Sequence, residues 1–360
     1  MSTPLASLDV LEPEAIRRSV DAALDDFLTE KEEAAAAPQL PYLSGLVRDF
    51  LSGGKRIRPL LCVTGWRAAG GSGDDAGSVF RIAACLEMFH AFALIHDDVM
   101  DLSDTRRGRP TLHRTLAAHH AACRGPDEVE WFGMSAAVLL GDLALTWSDE
   151  LLHSAGLAPV QRDTVLPLVS QMRTELMLGQ YLDLHATGGL TDDVDATLNV
   201  YRYKTAKYTI ERPLHVGAAV AGAGPEAMAA CTAYALPLGE AFQLRDDLLG
   251  VYGDPAVTGK SRLDDLRAGK NTTLTALALR GADAGQTALL RRLLGDPLLD
   301  EEGAAVVRGL FETTGARETV ERMIDDRQRQ ALHALDHAPF GADAVGALKR
   351  IARMATARNS

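Results

Sequence analysis

The sequence predicts an all-α protein built as a single large helical bundle. Apolar residues recur at helical spacing in nearly every segment, and no run of residues alternates like a strand between turn signals. Glycines and prolines punctuate the chain, but none of the breaks is long enough to serve as an interdomain linker.

The first forty residues, with Ala34 to Ala37 and Pro38, are expected to form an N-terminal arm or peripheral helix (1–40), its helix near 12–36. The main body, 41–360, opens with a helix over 41–52 that stops at Gly53-Gly54, then one over 57–70 that runs into Gly70 to Gly73. A mostly apolar helix follows over 76–101, and another over 111–123 ends ahead of Gly125-Pro126. Helices over 130–155 and 159–185 lead to Gly188-Gly189, and helices over 193–210, 213–223 and 225–252 lead to Gly253 to Pro255. The C-terminal part reads as 272–281, 284–294, a break at Gly295 to Pro297, then 302–314, 316–336 and 341–357.

With 360 residues, 47% hydrophobic and 24% charged, the chain can bury a large core without disulfides or metals. A net charge of −12 argues against nonspecific nucleic-acid binding, which needs a positive contact surface. Cys62, Cys85, Cys123 and Cys231 show no C-x-x-C spacing, so reduced thiols and a cytoplasmic protein are expected. Met1 to Ala15 lacks the basic-then-apolar pattern of a secretory signal. The longest apolar stretch, Val216 to Gly224, is about half a membrane span, so no integral membrane segment is expected.

Two acidic clusters stand out, Asp97-Asp98-Val99-Met100-Asp101 and Asp246-Asp247 followed by Asp254. The chain has seven Asp-Asp pairs, so a pair alone is a weak signal. These two differ because each follows a long, mainly apolar run, Ile82 to Ile95 and Ala233 to Leu244. Two like charges about 4 Å apart repel by roughly 4 kcal/mol at an effective dielectric near 20, so such clusters call for cations. Oxygen-only ligands suit Mg²⁺ bridging to a phosphate. Asp97 and Asp101 are four apart and share a helix face, while Asp98, rotated by about 100°, is placed to orient the ligands through a water or a basic residue. The competing reading is a solvated acidic helix end.

Basic residues gather nearby. Ser103-Asp104-Thr105-Arg106-Arg107-Gly108-Arg109-Pro110 is read as a loop whose guanidinium groups reach phosphate. Gly53-Gly54-Lys55-Arg56-Ile57-Arg58-Pro59 puts two glycines ahead of a cation-rich helix start, suited to phosphate or diphosphate. Lys204, Thr205 and Lys207 lie among Tyr201, Tyr203 and Tyr208, and Lys260 and Lys270 flank Asp264-Asp265. Taken singly, each of these sets reads equally well as solvated or snorkelling surface.

In order, Gly-Gly-Lys-Arg-x-Arg-Pro, Glu87-x-x-His90, Asp-Asp-x-x-Asp, Arg-Arg-Gly-x-Pro-Thr-x-His from Arg106 to His113, Lys204-Thr205, Gln243-x-x-Asp246-Asp247, Gly253-Asp254-Pro255 and Thr258-Gly259-Lys260 resemble the signature of trans-polyprenyl diphosphate synthases. The resemblance runs from about Gly53 to Lys270 and makes 41–360 the catalytic domain of an isoprenoid synthase fold. It implies head-to-tail condensation of isopentenyl diphosphate with an allylic diphosphate after Mg²⁺-assisted ionisation, three ions per site, and a homodimer. The two acidic motifs would face each other, with Asp97, Asp101 and Asp246 as direct ligands and Asp98 and Asp247 acting directly or through water.

The same resemblance assigns Arg106, Lys204, Lys260 and Lys270 to the allylic diphosphate, and Lys55, Arg58, His90 and Arg107 to isopentenyl diphosphate. Thr205 and Gln243 match positions that stabilise the carbocation through oxygen dipoles, so that Lys204, Thr205 and Gln243 form the catalytic set. His96 receives no catalytic role. The second motif departs from the pattern: Gly250 stands where a third aspartate belongs, which predicts less redundancy rather than lost activity.

Product length is read from the helix upstream of Asp97. Phe92 lies five residues before it and Phe89 eight, on neighbouring turns separated by about 4.5 Å, close to one isoprene unit. An aromatic Phe92, a small Ala93 and an uninterrupted first motif resemble geranylgeranyl-type synthases, with farnesyl diphosphate the alternative if Phe89 tightens the tunnel. A class I terpene cyclase would leave Lys55, Arg58 and His90 unexplained. A noncatalytic partner subunit would be expected to lack one acidic motif, and a di-iron bundle needs a second Glu-x-x-His in a fitting context.

Overall fold

The computed structural model describes residues 11–34, 37–123, 125–255 and 261–357. Thr258, Gly259 and Lys260 therefore lie outside the described residues, as do the first ten residues of the expected arm. The chain is helical almost throughout and divides into two compact units, Met1–Val165 with Val216–Gly222, and Leu166–His215 with Ala223–Ser360.

In the first unit, α1 (Pro13–Glu33) opens with proline at its first turn and buries Ile16, Val20, Leu24, Phe27 and Leu28, a stripe at helical spacing. α2 (Leu40–Leu51) and α3 (Ile57–Ala68) follow, then α4 (Ala76–Met100), which packs against α1, α3 and α6 (Pro126–His153). Glycine sets how closely these helices approach. A Cβ on Gly141 would lie 2.3 Å from the His96 ring, and one on Gly133 would lie 2.4 Å from the His113 carbonyl oxygen. α5 (Leu112–His120) can therefore lie close to α6.

In the second unit, α7 (Pro159–Ala186), which begins before Leu166, precedes α8 (Val194–Tyr201) and a π-helical segment, Arg202–Glu211. α9 (Arg212–Val220), which belongs to this unit only as far as His215, continues it, and α10 (Pro225–Tyr252) packs on both the π segment and the later helix α15 (Ala316–Ala334). Between them run α11 (Asp264–Arg267), α12 (Thr273–Gly281), α13 (Ala284–Leu293) and α14 (Glu301–Thr313), and α16 (Ala342–Thr356) closes the chain. Leu244, Leu248, Phe311, Val320 and Ile324 belong to its core.

The expected helices are present with bounds shifted by a few residues, and three differences stand out, two of them with a physical cause in the backbone. Residues 103–110 contain a small hairpin, not only loop: Thr105–Arg106 pairs antiparallel with Arg109–Pro110. Arg107 and Gly108 both take positive φ, 52° and 72°, which is the two-residue turn that matches strand twist. The expected pair of α-helices over 193–223 is one continuous helical stretch whose middle is wound as a π-helix. Its backbone is tightly confined: a Cβ on Gly179 of α7 would lie 2.4 Å from the Lys204 nitrogen, and one on Gly239 of α10 2.3 Å from the Ala206 Cα. The four-residue helix α11 was not expected.

Two helices, Ala76–Met100 and Pro126–His153, are long and apolar enough to cross a membrane by length and composition, although the longest unbroken apolar run suggested none. The apolar window of the first is 67% buried within the protein.

Candidate active site

The first acidic pair ends α4 in the first unit. Asp98 is 2% exposed, and Arg106 of the hairpin grips it from one edge: Nε donates to Oδ1 and Oδ2 at 2.9 and 2.8 Å, and Nη2 donates to Oδ1 at 2.6 Å. The same Nη2 lies 3.6 Å from Asp97 Oδ2. Asp97 is more open, and Asp101, half-buried, caps α4 by donating its backbone N–H to the Asp97 carbonyl at 2.8 Å. Burial raises the Asp98 carboxyl even with Arg106 pulling the other way. Burial also opposes the charge on Arg106, but Asp98 outweighs it and leaves the guanidinium raised.

Cations surround this end of α4. Burial drives His90 well below its usual value, and the charges of Arg58, Arg106, Arg107 and Arg56 add to the effect, so its imidazole is neutral at pH 7. Arg107 is lowered by burial and by Arg106, Arg56 and Arg58, with Glu87 offsetting only part. Its guanidinium lies against Gly54, where a Cβ would meet Nη2 at 2.9 Å, so the two basic loops converge because position 54 has no side chain. Arg56 is a structural residue: Nη1 donates to Glu87 at 2.8 Å, Nε to Asp21 at 2.9 Å and Nη2 to the Leu51 carbonyl at 2.6 Å. Lys55 is exposed and Arg58 half-buried beside it.

Backbone strain collects here too. Among the described residues the non-glycine positions with positive φ are Arg56, Leu102 and Arg107, at 50°, 50° and 52°. All three lie in the segments that carry the basic motifs and the end of the acidic one, where a strained backbone is held in place by its surroundings.

The second acidic pair lies on α10 in the second unit and repeats the division of the first. Asp246 is exposed, while Asp247 is 8% exposed and held at both oxygens. The Tyr201 hydroxyl donates to Oδ2, and Gln243 Nε2 donates to Oδ1 at 2.8 Å. Thr205 Oγ1 in turn donates to Gln243 Oε1 at 2.6 Å, and the Thr273 N–H donates to the Tyr201 oxygen at 2.7 Å. The result is a continuous polar chain from the π segment through α10 to the start of α12. Burial is the first cause that pushes the Asp247 carboxyl up to about 7; Tyr201 and Gln243 oppose it, and the charges of Asp246 and Asp265 add to it.

Lys204 Nζ lies 2.6 Å from Asp183 Oδ2, and Lys270 Nζ 3.4 Å from Asp265 Oδ1. On α4, Phe89 and Phe92 are both buried with ring centroids 5.3 Å apart, Phe92 meets the His96 ring edge-on, and Ala93 is half-buried. Sequence reasoning missed Tyr201, Asp183 and Asp265 as partners of the expected residues. Tyr201 had a signal, since it stands in the same tyrosine-rich run as Lys204, but the register that puts its hydroxyl on Asp247 comes from the fold.

Among the described residues, no three carboxylate, imidazole or thiol groups converge closely enough to hold a cation alone. Mg²⁺ takes one or two carboxylates and completes its shell with water and substrate phosphate. The more exposed carboxylates of Asp97, Asp101 and Asp246 are the ones that could take such a cation, whereas Asp98 and Asp247 are buried and hydrogen-bonded within the protein.

A profile of the polyprenyl synthetase family matches residues 41–310. A geranylfarnesyl diphosphate synthase of Aeropyrum pernix is 35% identical over 266 residues, 73% of this chain and 76% of the relative. A geranylgeranyl diphosphate synthase of Mycobacterium tuberculosis is 30% identical over 310 residues, 84% of this chain and 80% of the relative. The crystal structure of a geranylgeranyl pyrophosphate synthase from Corynebacterium glutamicum, complexed with isoprenyl diphosphate and magnesium, is similar with TM-score 0.92 and 39% identity, covering 96% of this chain and 99% of that one.

Replacing Tyr201 with Phe removes the hydroxyl that serves Asp247 and leaves the buried Thr273 N–H without its acceptor. The expected loss is about 1–3 kcal/mol of folding stability, read as a lower urea midpoint at unchanged slope. An unchanged midpoint would show that this polar chain does not hold the helices together.

Proposed function

The chain belongs to the polyprenyl synthetase family, and we propose that within it the protein condenses isopentenyl diphosphate with an allylic diphosphate to give geranylgeranyl diphosphate. Prenyl transfer of the short-chain class follows from the family; the product, the starter and the residue roles are the finer reading. The observation that carries it is the repeated pairing of one open aspartate with one buried, hydrogen-bonded aspartate, joined in the first unit to a crowd of guanidinium groups around a neutral histidine.

When bound, Mg²⁺, three ions in all, neutralises the allylic diphosphate as a leaving group. Asp97 and Asp101 in the first unit, and Asp246 in the second, are the carboxylates that would hold Mg²⁺. Asp98 fixes Arg106 so that the guanidinium meets phosphate in one orientation. Lys204, Lys270 and, in the sequence, Lys260 add positive charge at the same diphosphate. Lys55, Arg58 and Arg107 take the diphosphate of isopentenyl diphosphate, and His90, neutral, adds a hydrogen bond without adding to the repulsion among the arginines.

Thr205 and Gln243 turn their oxygens toward the allylic cation. Their mutual hydrogen bond and the Gln243 bond to Asp247 hold those dipoles before charge develops, which is where electrostatic stabilisation is largest. The double bond of isopentenyl diphosphate then attacks the cation, and the proton leaves to the departed diphosphate. Phe92, with the tilted ring of Phe89 packed behind it, floors the tunnel for the growing chain.

The protein is read as a cytoplasmic homodimer. Trp131 and Leu139 of α6 are 65% and 68% exposed, and Val138 beside them is 39% exposed, an apolar face of the kind that a second copy covers. Cys62, Cys85 and Cys231 are buried and form no disulfide among the described residues, as suits a reducing compartment. Light scattering of protein recovered from the soluble fraction is expected to give twice the monomer mass; a monomer, or recovery only with membranes, contradicts this reading.

Incubation with Mg²⁺, isopentenyl diphosphate and each of the dimethylallyl, geranyl and farnesyl starters, followed by phosphatase and chromatography, is expected to give geranylgeraniol. Phe92→Ala is expected to lengthen the product by at least one isoprene unit. Absence of diphosphate release overturns the proposed reaction, and an unchanged product distribution in Phe92→Ala overturns the role of that ring alone.

A further inference from the structure

Charged residues close the π segment, and most of them are buried. Glu175 of α7, 8% exposed, meets two cations at once. Arg212 donates from Nε to Oε2 and from Nη2 to Oε1, both at 2.7 Å, and Lys207 Nζ donates to Oε1 at 2.9 Å. Burial opposes the charge on Glu175, but Arg212 and Lys207 outweigh it and leave the carboxyl lowered, so the group is ionised. Glu211 lies close by, its Oε2 3.8 Å from Lys207 Nζ and 3.9 Å from Arg212 Nη2, while its Oε1 accepts from Thr232 of α10 at 2.8 Å. Arg212 Nη1 donates to His215 Nδ1 at 3.2 Å; the ring proton is then on Nε2, which donates to the Met228 carbonyl at 3.1 Å.

The two cations, Lys207 and Arg212, are five residues apart. Around an α-helix such residues stand about 140° from each other and diverge. Across a π turn, whose hydrogen bonds join residues i and i+5, they lie one above the other. The main chain makes that bond here: the Arg212 N–H donates to the Lys207 carbonyl. The same two residues are thus joined twice, by a π hydrogen bond in the backbone and by a shared carboxylate between their side chains. This spacing favours π winding over α winding, and pulling the two apart would strip a buried carboxylate of a cation.

Lys204 and Thr205 lie within the π segment, and Thr205 donates to Gln243 at 2.6 Å in the register that this winding sets. Each π turn relaxed to α would rotate them by about 100° relative to α9. We propose that Glu175 is a positioning residue for prenyl transfer: by clasping Lys207 and Arg212 it keeps the segment π-wound and so holds Thr205 in register with Gln243. This rests on the reading that Thr205 and Gln243 face the allylic cation. Glu175 itself touches neither substrate, and its effect on the reaction passes through Thr205.

The test is a double-mutant cycle on the full-length protein with Glu175→Gln, Thr205→Val and the two combined. Single-turnover condensation of geranyl diphosphate with isopentenyl diphosphate and Mg²⁺ is measured beside the steady-state KM for each diphosphate, and thermal melts show that each variant is folded. Glu175→Gln is expected to slow condensation about tenfold with both KM values changed less than about twofold. Thr205→Val is expected to lose a comparable factor, and the combined variant to be no more than about twofold slower than Thr205→Val alone. Lys207→Met, which keeps the stem and removes the ammonium, takes the place of Glu175→Gln in the same cycle if that variant does not fold.

An unchanged condensation rate in Glu175→Gln, with Thr205→Val slow, overturns the inference and leaves the reading of Thr205 standing. Losses that multiply in the combined variant, or a loss seen in KM alone, also overturn it, because Glu175 would then act by a route that does not pass through Thr205. An unimpaired Thr205→Val overturns the reading of the Thr205 and Gln243 pair, and the inference with it.

Discussion

A carboxylate placed within the packing of an apolar helix loses its water, and the ionised form survives only where hydrogen bonds or cations replace that water. Asp98 and Asp247 meet this constraint in different ways. Asp98 is gripped by the edge of a guanidinium; Asp247 is held by a phenol and a carboxamide, and its carboxyl still rises to about 7. Each of these bonds also fixes a neighbour. Arg106 is aimed by Asp98, and Gln243 is aimed by Asp247 and Thr205, so the buried aspartate orders the polar groups around an open one. Asp97 and Asp246 stand next to these fixed groups, each beside a buried aspartate on the same helix.

The rest of the local architecture serves the same demand. Arg106 reaches Asp98 because the hairpin turns on Arg107 and Gly108 in left-handed conformation. Arg107 reaches Gly54 because that position lacks a Cβ, and Arg56 accepts its own left-handed φ while bonded to Glu87, Asp21 and the Leu51 carbonyl. In the second unit, the π winding around Lys204 and Thr205 fits between α7 and α10 only because residues 179 and 239 are glycine. Such strained or crowded backbone persists where the surrounding contacts over-determine it, which is characteristic of sites that must be organised before a ligand arrives.

Much of this was legible in the sequence. Helical periodicity marked the long helices, since α4 and α10 each bury residues over several turns. The position of two acidic pairs at the ends of apolar runs separated them from the five pairs elsewhere. Other features depend on tertiary register and leave little trace in order along the chain. The hairpin has strands of two residues, too short for alternation to register. A π segment has the composition of any amphipathic helix. Tyr201 is 46 residues from Asp247 and Asp183 is 21 from Lys204, and only the fold brings them together. Gly250 reads in sequence as a departure from the motif, whereas its contact with the Asp265 carboxylate comes from the fold.

The most direct test of the division between open and buried aspartates is a crystal structure with Mg²⁺ and an unreactive thiolo analogue of an allylic diphosphate. Metal density is expected on the oxygens of Asp97, Asp101 and Asp246, with Arg106 still on Asp98 and with Tyr201 and Gln243 still on Asp247. Metal bound directly to Asp98 or Asp247, with those hydrogen bonds broken, would contradict the account.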